Sequence, residues 1–234
     1  MDLQQLIELD QQLLLLFHGS GSVFIDQLAL ALTAGITWIP LYVMLFVLVL
    51  KNNEKPSQIV LIMLSALLCV GIAYGISGGL VKPYVHRLRP VMEPSLTGLV
   101  APVDGYVPSG YSFFSSHAAN TFSLTVFFAL LVRHRAFTVA MILWSLVNCW
   151  TRLYLGAHYP FDILTGLVCG ALVGIGVYLL YFRIYSRITP KLHYISTQYT
   201  KTGYSLIDID LVLTVLALTG IYCAVWATVH AFLT

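Results

Sequence analysis

The chain has 234 residues, of which 59% are hydrophobic and only 9% are charged, and its formal net charge is +2. Soluble domains carry about 25% charged residues, so this composition excludes an ordinary soluble fold and indicates an integral membrane protein. The small net charge and the lack of a basic stripe with interleaved aromatics argue against nucleic acid as a partner. The sequence indicates no obligate protein partner, and residues 1–234 are predicted to form a single domain.

The apolar runs predict an all-α, polytopic membrane bundle of about six transmembrane helices, because only a helix or a closed barrel satisfies its backbone in lipid. Residues 2–17 mix apolar with acidic and amide residues and are too short to span, which predicts an amphipathic helix at the membrane interface. This run has neither a basic n-region nor a small-residue cleavage site, so we expect no removable signal peptide. The predicted spans follow at 24–50, 57–80, 117–132, 136–154, 161–182 and 209–232.

Basic residues in the connections predict the orientation of the bundle, since short cytoplasmic loops accumulate lysine and arginine. Eight of the twelve lie between spans 1 and 2, 3 and 4, or 5 and 6, namely Lys51, Lys55, Arg133, Arg135, Arg183, Arg187, Lys191 and Lys201. The other four, Lys82, Arg87, Arg89 and Arg152, lie at the opposite face. This predicts a multi-pass protein of the inner (plasma) membrane, with these four cations facing the periplasm or the cell exterior.

Small residues inside the spans are interpreted as packing features. Gly166, Gly170 and Gly174 recur every four residues on the fifth span and predict a close helix contact. The four cysteines fall inside apolar runs without metal-ligand spacing, so we interpret them as small buried hydrophobes.

The outer ends of spans 2 to 5 carry polar residues that alternating helices would bring to one membrane depth. These candidate site residues are Lys82, Arg89, Ser115, Ser116, His117, Arg152, His158 and Asp162. Positioned cations and the free N–H groups of a helix N-terminus stabilise the charge of a transferring phosphoryl group. The set therefore points to phosphoryl-transfer chemistry.

Each of these residues has a predicted role. Lys82, Arg89 and Arg152 would hold the phosphate, and the helix that starts at Ser115 and Ser116 would aim its N–H groups at it.

The two histidines and the aspartate would carry the reaction. His158 and Asp162 are four residues apart, so on a helix the carboxylate can hold one ring nitrogen and leave the other to attack. His117 would protonate the leaving oxygen and later activate water. No metal-spaced cluster accompanies this set in the sequence, so we expect no metal and no cofactor.

These elements resemble the type-2 phosphatidic acid phosphatase superfamily, which includes membrane lipid phosphatases, glucose-6-phosphatase and vanadium haloperoxidases. Its pattern is a lysine, six residues and Arg-Pro, then Pro-Ser-Gly-His, then Ser-Arg, five residues, histidine, three residues and aspartate. Lys82 to Arg89-Pro90 matches the first element, Ser115 and His117 match the second, and Arg152, His158 and Asp162 match the third. The resemblance covers about residues 27–182 and leaves residues 209–232 as an extra C-terminal helix.

Three positions depart from the family pattern: Phe114 replaces its proline, Ser116 its glycine and Thr151 its first serine. Ser116 still offers a backbone N–H, and Thr151 keeps a hydroxyl. Residues 108–110 read Pro-Ser-Gly, but Tyr111 follows where the family has histidine, so we interpret them as a turn in the outer loop. The resemblance implies a metal-independent phosphohistidine mechanism at the outer leaflet.

Several other polar residues receive no assigned role. His86 and Arg87 lie off the motif positions, and contact with lipid headgroups explains them as well as phosphate binding does. His18, His134, His193 and His230 are interpreted as structural, and the role of Asp104 stays open.

The expected function is that of a membrane phosphatase whose substrate, a phosphate monoester or pyrophosphate of an envelope lipid, keeps its acyl chains in the bilayer. Lipid A phosphate and undecaprenyl pyrophosphate are the favoured substrates, with phosphatidylglycerol phosphate and phosphatidic acid left open. One alternative is a non-catalytic anionic-lipid-binding protein or transporter, which needs the cations but not the pair of His158 and Asp162. A lipid phosphotransferase would use the same residues.

Overall fold

The computed structural model describes residues 2–188 and 197–233, and the regular elements of these residues are helices. The helices are α1 (Leu3–Leu15), α2 (Val23–Thr33), α3 (Ile39–Lys51), α4 (Pro56–Tyr74), α5 (Lys82–Val85), α6 (Ser116–Val132), α7 (Arg135–Tyr154), α8 (Pro160–Ile188) and α9 (Leu206–Leu233). A π-helix at Gly75–Val81 joins α4 to α5, and residues 86–115 form a long loop with short 3-10 turns. Lys191 and His193 lie outside the described residues. The predicted all-α membrane bundle is confirmed.

The predicted count of six spans is not confirmed. Within the described residues, four segments are long and apolar enough to cross a membrane, namely Pro56–Leu96, Arg135–Tyr154, Pro160–Arg187 and Leu206–Leu233. Helices α2 and α3 make a fifth if they are counted as one span bent by 66°. Helix α6 has only 17 residues, which corresponds to about 26 Å and is shorter than the hydrocarbon core.

The bend between α2 and α3 breaks the predicted span 24–50. Ala34 is extended, with φ −71° and ψ 124°, which releases carbonyl groups at the end of α2. The Thr37 hydroxyl donates to the Ala31 carbonyl at 2.6 Å, and the Trp38 indole N–H donates to the Leu32 carbonyl at 2.9 Å. Side chains thus satisfy carbonyl groups that an unbroken helix would satisfy itself, as buried backbone requires.

Helix α8 packs closely against α6 through its glycines, as predicted. A Cβ atom would lie 2.7 Å from the Ser115 carbonyl oxygen if added at Gly166, and 2.6 Å from the Ala119 carbonyl oxygen if added at Gly170. At Gly174 it would lie 2.7 Å from the Ser123 carbonyl oxygen. This contact sets the N-terminal ends of the two helices side by side, where the candidate site residues lie.

Helix α1 confirms the helix predicted within residues 2–17 and is attached to the bundle by one face. Asp2 and Gln5 form a capping box at its start. Its buried residues are Asp10 and Leu14, and Leu14 packs in a cluster that includes Tyr159 and Ile163. An acidic side chain therefore points from this helix into the bundle.

Candidate active site

A cavity of about 530 Å³ lies near the C-terminal ends of α4 and α7, the short helix α5 and the N-terminal ends of α6 and α8. It is lined by the predicted site residues Lys82, Arg89, Ser116, His117, Arg152 and His158. Other lining residues include His86, Tyr106, Ser109, Gly110 and Tyr111 from the long loop. The structure thus brings residues from five separate stretches of the chain to one cavity.

His158 is held from behind by Asp162 and by a residue that the sequence did not suggest. The ring is 1% exposed, and its Nδ1 atom lies 3.5 Å from Asp162 Oδ2 and 3.4 Å from the Ser112 hydroxyl oxygen. The Ser112 hydroxyl also donates a short hydrogen bond to Asp162, whose Oδ2 atom accepts the Tyr159 backbone N–H at 3.0 Å. The predicted histidine–carboxylate pair is therefore a triangle with Ser112 at its third corner. No sequence signal marks Ser112, because it lies in the long loop, 46 residues before His158.

Burial keeps His158 in its neutral form. Removal from water lowers the pKa of His158 from 6.5 to about 3, with Asp162 opposing the shift and Arg152 and Arg89 adding to it. A neutral imidazole keeps a lone pair on one ring nitrogen, which nucleophilic attack requires.

Arg89 is fixed by backbone carbonyl groups on both sides of the cavity. Its Nε atom donates to the Ser109 and Gly110 carbonyls at 3.0 and 2.9 Å, and Nη2 donates to Ser109 at 2.7 Å. Its Nη1 atom donates to the Ala157 carbonyl at 2.9 Å and lies 3.4 Å from His158 Nε2. The interpretation of residues 108–110 as a turn therefore missed their contribution, which is to aim this guanidinium group at the nucleophile candidate.

Arg152 reaches the cavity from the last turn of α7. Its Nη1 atom donates to the Thr33 hydroxyl at 2.7 Å and to the Tyr106 hydroxyl at 2.9 Å. Its Nε atom is buried and has no hydrogen-bond partner among residues 2–188 and 197–233. The bend after α2 thus supplies Thr33 as a support for a predicted phosphate ligand.

Ser115 and Ser116 have different surroundings at the start of α6. The Ser115 hydroxyl caps the helix by accepting the Ala118 N–H at 3.3 Å, and the Ser115 N–H donates to the Asp162 carbonyl at 3.1 Å. Ser116 lines the cavity, and its hydroxyl oxygen lies 2.7 Å from the hydroxyl oxygen of Ser77, which belongs to the π-helix. Direct phosphate binding by Ser115 stays a prediction, and in the structure its side chain shapes the helix end.

Arg87 contacts Asp162, the carboxylate that pairs with His158. The sequence had left two interpretations of Arg87 open, contact with lipid headgroups and phosphate binding. Its Nη1 atom lies 2.8 Å from Asp162 Oδ1, and its Nη2 atom lies 2.8 Å from Asp10 Oδ2. The guanidinium also lies 3.8 Å from the ring centre of Tyr159. A signal for Asp10 was present, because it shares a helical face with Leu6, Ile7, Leu13 and Leu14, an apolar face on which a carboxylate needs a partner.

Comparisons with known proteins agree with this geometry. The family model of the PAP2 superfamily matches residues 58–186, which includes all the predicted site residues. The chain belongs to the PAP2 superfamily. It is 37% identical over 188 residues to a lipid A 4'-phosphatase of Bacteroides thetaiotaomicron, covering 80% of this chain and 81% of that protein.

Two further comparisons agree with the family. A lipid A 4'-phosphatase of Porphyromonas gingivalis is 31% identical over 79% of this chain and 78% of its own length. The crystal structure of a transmembrane PAP2-type phosphatidylglycerolphosphate phosphatase from Bacillus subtilis shares the fold, with a TM-score of 0.56 and 20% identity over 81% of this chain and 89% of that one. This PAP2 protein is therefore a membrane-integrated phosphatase of lipid phosphates, as predicted, and the non-catalytic alternative is not supported.

Proposed function

We propose that this PAP2 protein hydrolyses the 4'-phosphate of lipid A through a phosphohistidine on His158. The observation that carries the proposal is the orientation of the His158 ring. Its Nδ1 side faces Asp162 and Ser112, and its Nε2 atom lies 3.4 Å from Arg89 Nη1 at the cavity. A nitrogen with its lone pair beside a fixed cation is placed to attack a phosphate held by that cation.

The reaction has two steps. In the first, the Nε2 lone pair of His158 forms a bond to phosphorus while the bond from phosphorus to the lipid oxygen breaks, and His117 gives that oxygen a proton. In the second, a water oxygen attacks phosphorus, His117 takes one water proton, and the phosphorus–nitrogen bond breaks. Inorganic phosphate leaves and His158 is restored. Asp162 holds the Nδ1 proton and offsets the positive charge that the ring carries in the intermediate.

The phosphate oxygens would be held by Lys82, Arg89 and Arg152 together with the first N–H groups of α6. Arg89 and Arg152 are already fixed by uncharged partners, so their charge is not neutralised before the substrate arrives. Preorganised cations of this kind stabilise the charge on a transferring phosphoryl group without a cost of rearrangement. We expect this scheme to need no metal.

A second, apolar cavity supports a lipid substrate. It has a volume of about 430 Å³ and is lined by residues such as Trp38, Tyr42, Leu67 and Phe128. His117 lines both this cavity and the polar one. An acyl chain in the apolar cavity would therefore lead to the phosphate site at His117.

The choice of the 4'-phosphate rests on the two relatives named lipid A 4'-phosphatase, each of which matches about four-fifths of this chain. The undecaprenyl-diphosphatase BcrC of Bacillus subtilis is 32% identical over only 34% of the chain. The basic residues of the opposite connections support an inner-membrane location with the cavity facing the periplasm. Lipid A is an envelope lipid, which suits that location.

The test uses purified protein in detergent micelles and lipid A that carries both its 1- and 4'-phosphates. We expect loss of the 4'-phosphate by mass spectrometry, release of inorganic phosphate, and no turnover in the His158→Gln variant. His134→Gln is the matched control, because His134 caps α7 by accepting the Phe137 N–H and does not line the cavity.

Three results would contradict the proposal. Turnover by His158→Gln would remove the nucleophile assignment. Loss of the 1-phosphate, or faster turnover of undecaprenyl pyrophosphate or phosphatidylglycerol phosphate, would reassign the substrate. Phosphate that appears on a second lipid without release of inorganic phosphate would identify a phosphotransferase.

A further inference from the structure

A buried chain of charged groups connects α1 to the back of the active site. Asp10 is 1% exposed and lies 2.8 Å from Arg87, which in turn lies 2.8 Å from Asp162. Asp162 is 0% exposed and lies 3.5 Å from His158. One guanidinium group therefore bridges two buried carboxylates, and only one of these is part of the proposed reaction.

Asp10 also fixes the backbone at the start of α8. Its Oδ1 atom accepts the Phe161 N–H at 2.8 Å, next to Asp162 in the chain. Burial raises the pKa of Asp10, while the Phe161 amide and Arg87 oppose that rise. A carboxylate this deeply buried is costly unless it is paired and hydrogen-bonded, and both conditions are met by groups that position Asp162.

We propose that Asp10 and Arg87 are positioning residues for the phosphatase reaction. Asp10, on α1, partly offsets the positive charge of Arg87, so that the negative charge of Asp162 still acts on His158. The proposal rests on the proposed role of His158 as the nucleophile. Arg87 holds Asp162 in place, but its charge alone would weaken the attraction between that carboxylate and a positively charged His158 ring. The negative charge of Asp10 lies 2.8 Å from the same guanidinium group, offsets part of its positive charge and so restores part of that attraction.

The two residues should therefore have opposite electrostatic effects on His158. In Asp10→Asn, the Arg87 charge acts on Asp162 without compensation, so protonated His158 is less stable and the acid limb of kcat moves to lower pH. In Arg87→Gln, Asp162 is no longer compensated, so the acid limb moves to higher pH. The other charged groups around His158 stay constant between these variants; they are Asp162, Arg152 and Arg89, with Lys82 and His117 in the same cavity.

The experiment measures kcat, KM and the pH profile of the full-length protein with its lipid phosphate substrate. We expect each single substitution to lower kcat about tenfold, because each removes a charged hydrogen bond from the chain that positions Asp162. KM should change little, because the described residues that line the cavity include neither Asp10 nor Arg87. The double variant Asp10→Asn/Arg87→Gln should lose less activity than the product of the two single losses, because Asp10 and Arg87 belong to one chain of ion pairs that ends at Asp162. Arg87→Lys keeps the positive charge but loses the planar guanidinium group that contacts both carboxylates, so it should retain more activity than Arg87→Gln.

A matched control separates this role from a purely structural one. Asp208 is also a buried carboxylate, 7% exposed, paired with Lys51 away from the cavity. Asp208→Asn should lower the melting temperature about as much as Asp10→Asn does, without lowering kcat or moving the acid limb.

Several outcomes would overturn the proposal. Wild-type kcat in Asp10→Asn, acid limbs that move in the same direction, or a loss of kcat in Asp208→Asn equal to that in Asp10→Asn would each do so. A raised KM with unchanged kcat in Arg87→Gln would make Arg87 a substrate ligand instead. Full activity in His158→Gln would refute the nucleophile assignment itself, whereas an inactive His158→Gln beside wild-type Asp10→Asn and Arg87→Gln would refute only the positioning role.

Discussion

Replacing Ser112 with alanine removes one hydroxyl group from the triangle that Ser112 forms with His158 and Asp162. The backbone contact of Ser112 is kept, because its N–H donates to the Arg87 carbonyl at 2.8 Å in either case. Asp162 keeps Arg87 and the Tyr159 N–H as partners, so no buried charge is left alone. We therefore expect a change in catalysis with little loss of stability.

The magnitude follows from the bond that is removed. The Ser112 hydroxyl donates to a buried carboxylate, and a hydrogen bond to a charged group contributes about 1.5–3 kcal/mol. If that contribution orients Asp162 and His158 in the transition state, kcat should fall about 10- to 150-fold. KM should change little, because the described residues that line the cavity do not include Ser112.

The assay is release of inorganic phosphate from the lipid substrate in micelles, with kcat and KM determined separately. Ser145→Ala is the matched control: Ser145 is also 0% exposed, and its hydroxyl bonds to Thr121 at 2.8 Å within the bundle. We expect Ser145→Ala to turn over as the wild type does. Unchanged kcat in Ser112→Ala, or a loss confined to KM, would refute the assignment of Ser112 as an orienting residue.

Three more outcomes are expected. Activity should persist in excess chelator, measured as phosphate release, and a loss that Mg²⁺ restores would contradict the metal-independent scheme. Because burial lowers the pKa of His158 to about 3 from 6.5, the unfolded chain takes up this proton first as pH falls from 6.5 towards 3. Stability should therefore fall with pH in that window, and less steeply in His158→Gln; parallel melting-temperature curves would count against a buried neutral ring. Gly170→Ala should destabilise the α6–α8 contact by about 1–3 kcal/mol, because the new Cβ meets the Ala119 carbonyl oxygen at 2.6 Å. Gly176 lies on the same helix, and a Cβ atom added there would meet nothing within 4 Å, so Gly176→Ala should leave the melting temperature nearly unchanged.

The candidate site was predictable where its residues lie at helix ends. Lys82, Arg152 and His158 are charged or titratable residues beside long apolar runs, where such groups are costly without a task. Alternating helix direction then predicts that they share one membrane depth. The glycine spacing of α8 was readable for a similar reason, since it repeats with the helical period.

The supports of the site were not predictable, because they come from irregular backbone. Ser112, Ser109 and Gly110 lie in the loop of residues 86–115, which has no periodic pattern to place a hydroxyl or a carbonyl group. The break after α2 was also not predictable, because no periodic pattern marks it. The run 24–50 is apolar throughout, and only the contacts of Thr37 and Trp38 show why the helix ends there.

The most direct test of the account is to trap the phosphorylated protein. Wild-type protein is mixed with lipid whose phosphate is labelled, quenched within a turnover under conditions that preserve phosphohistidine, and digested for mass spectrometry. We predict one phosphoryl group on His158, absent from His158→Gln and present at wild-type level in the control His134→Gln. A phosphoryl group on any other residue, or labelled His158→Gln, would contradict the account.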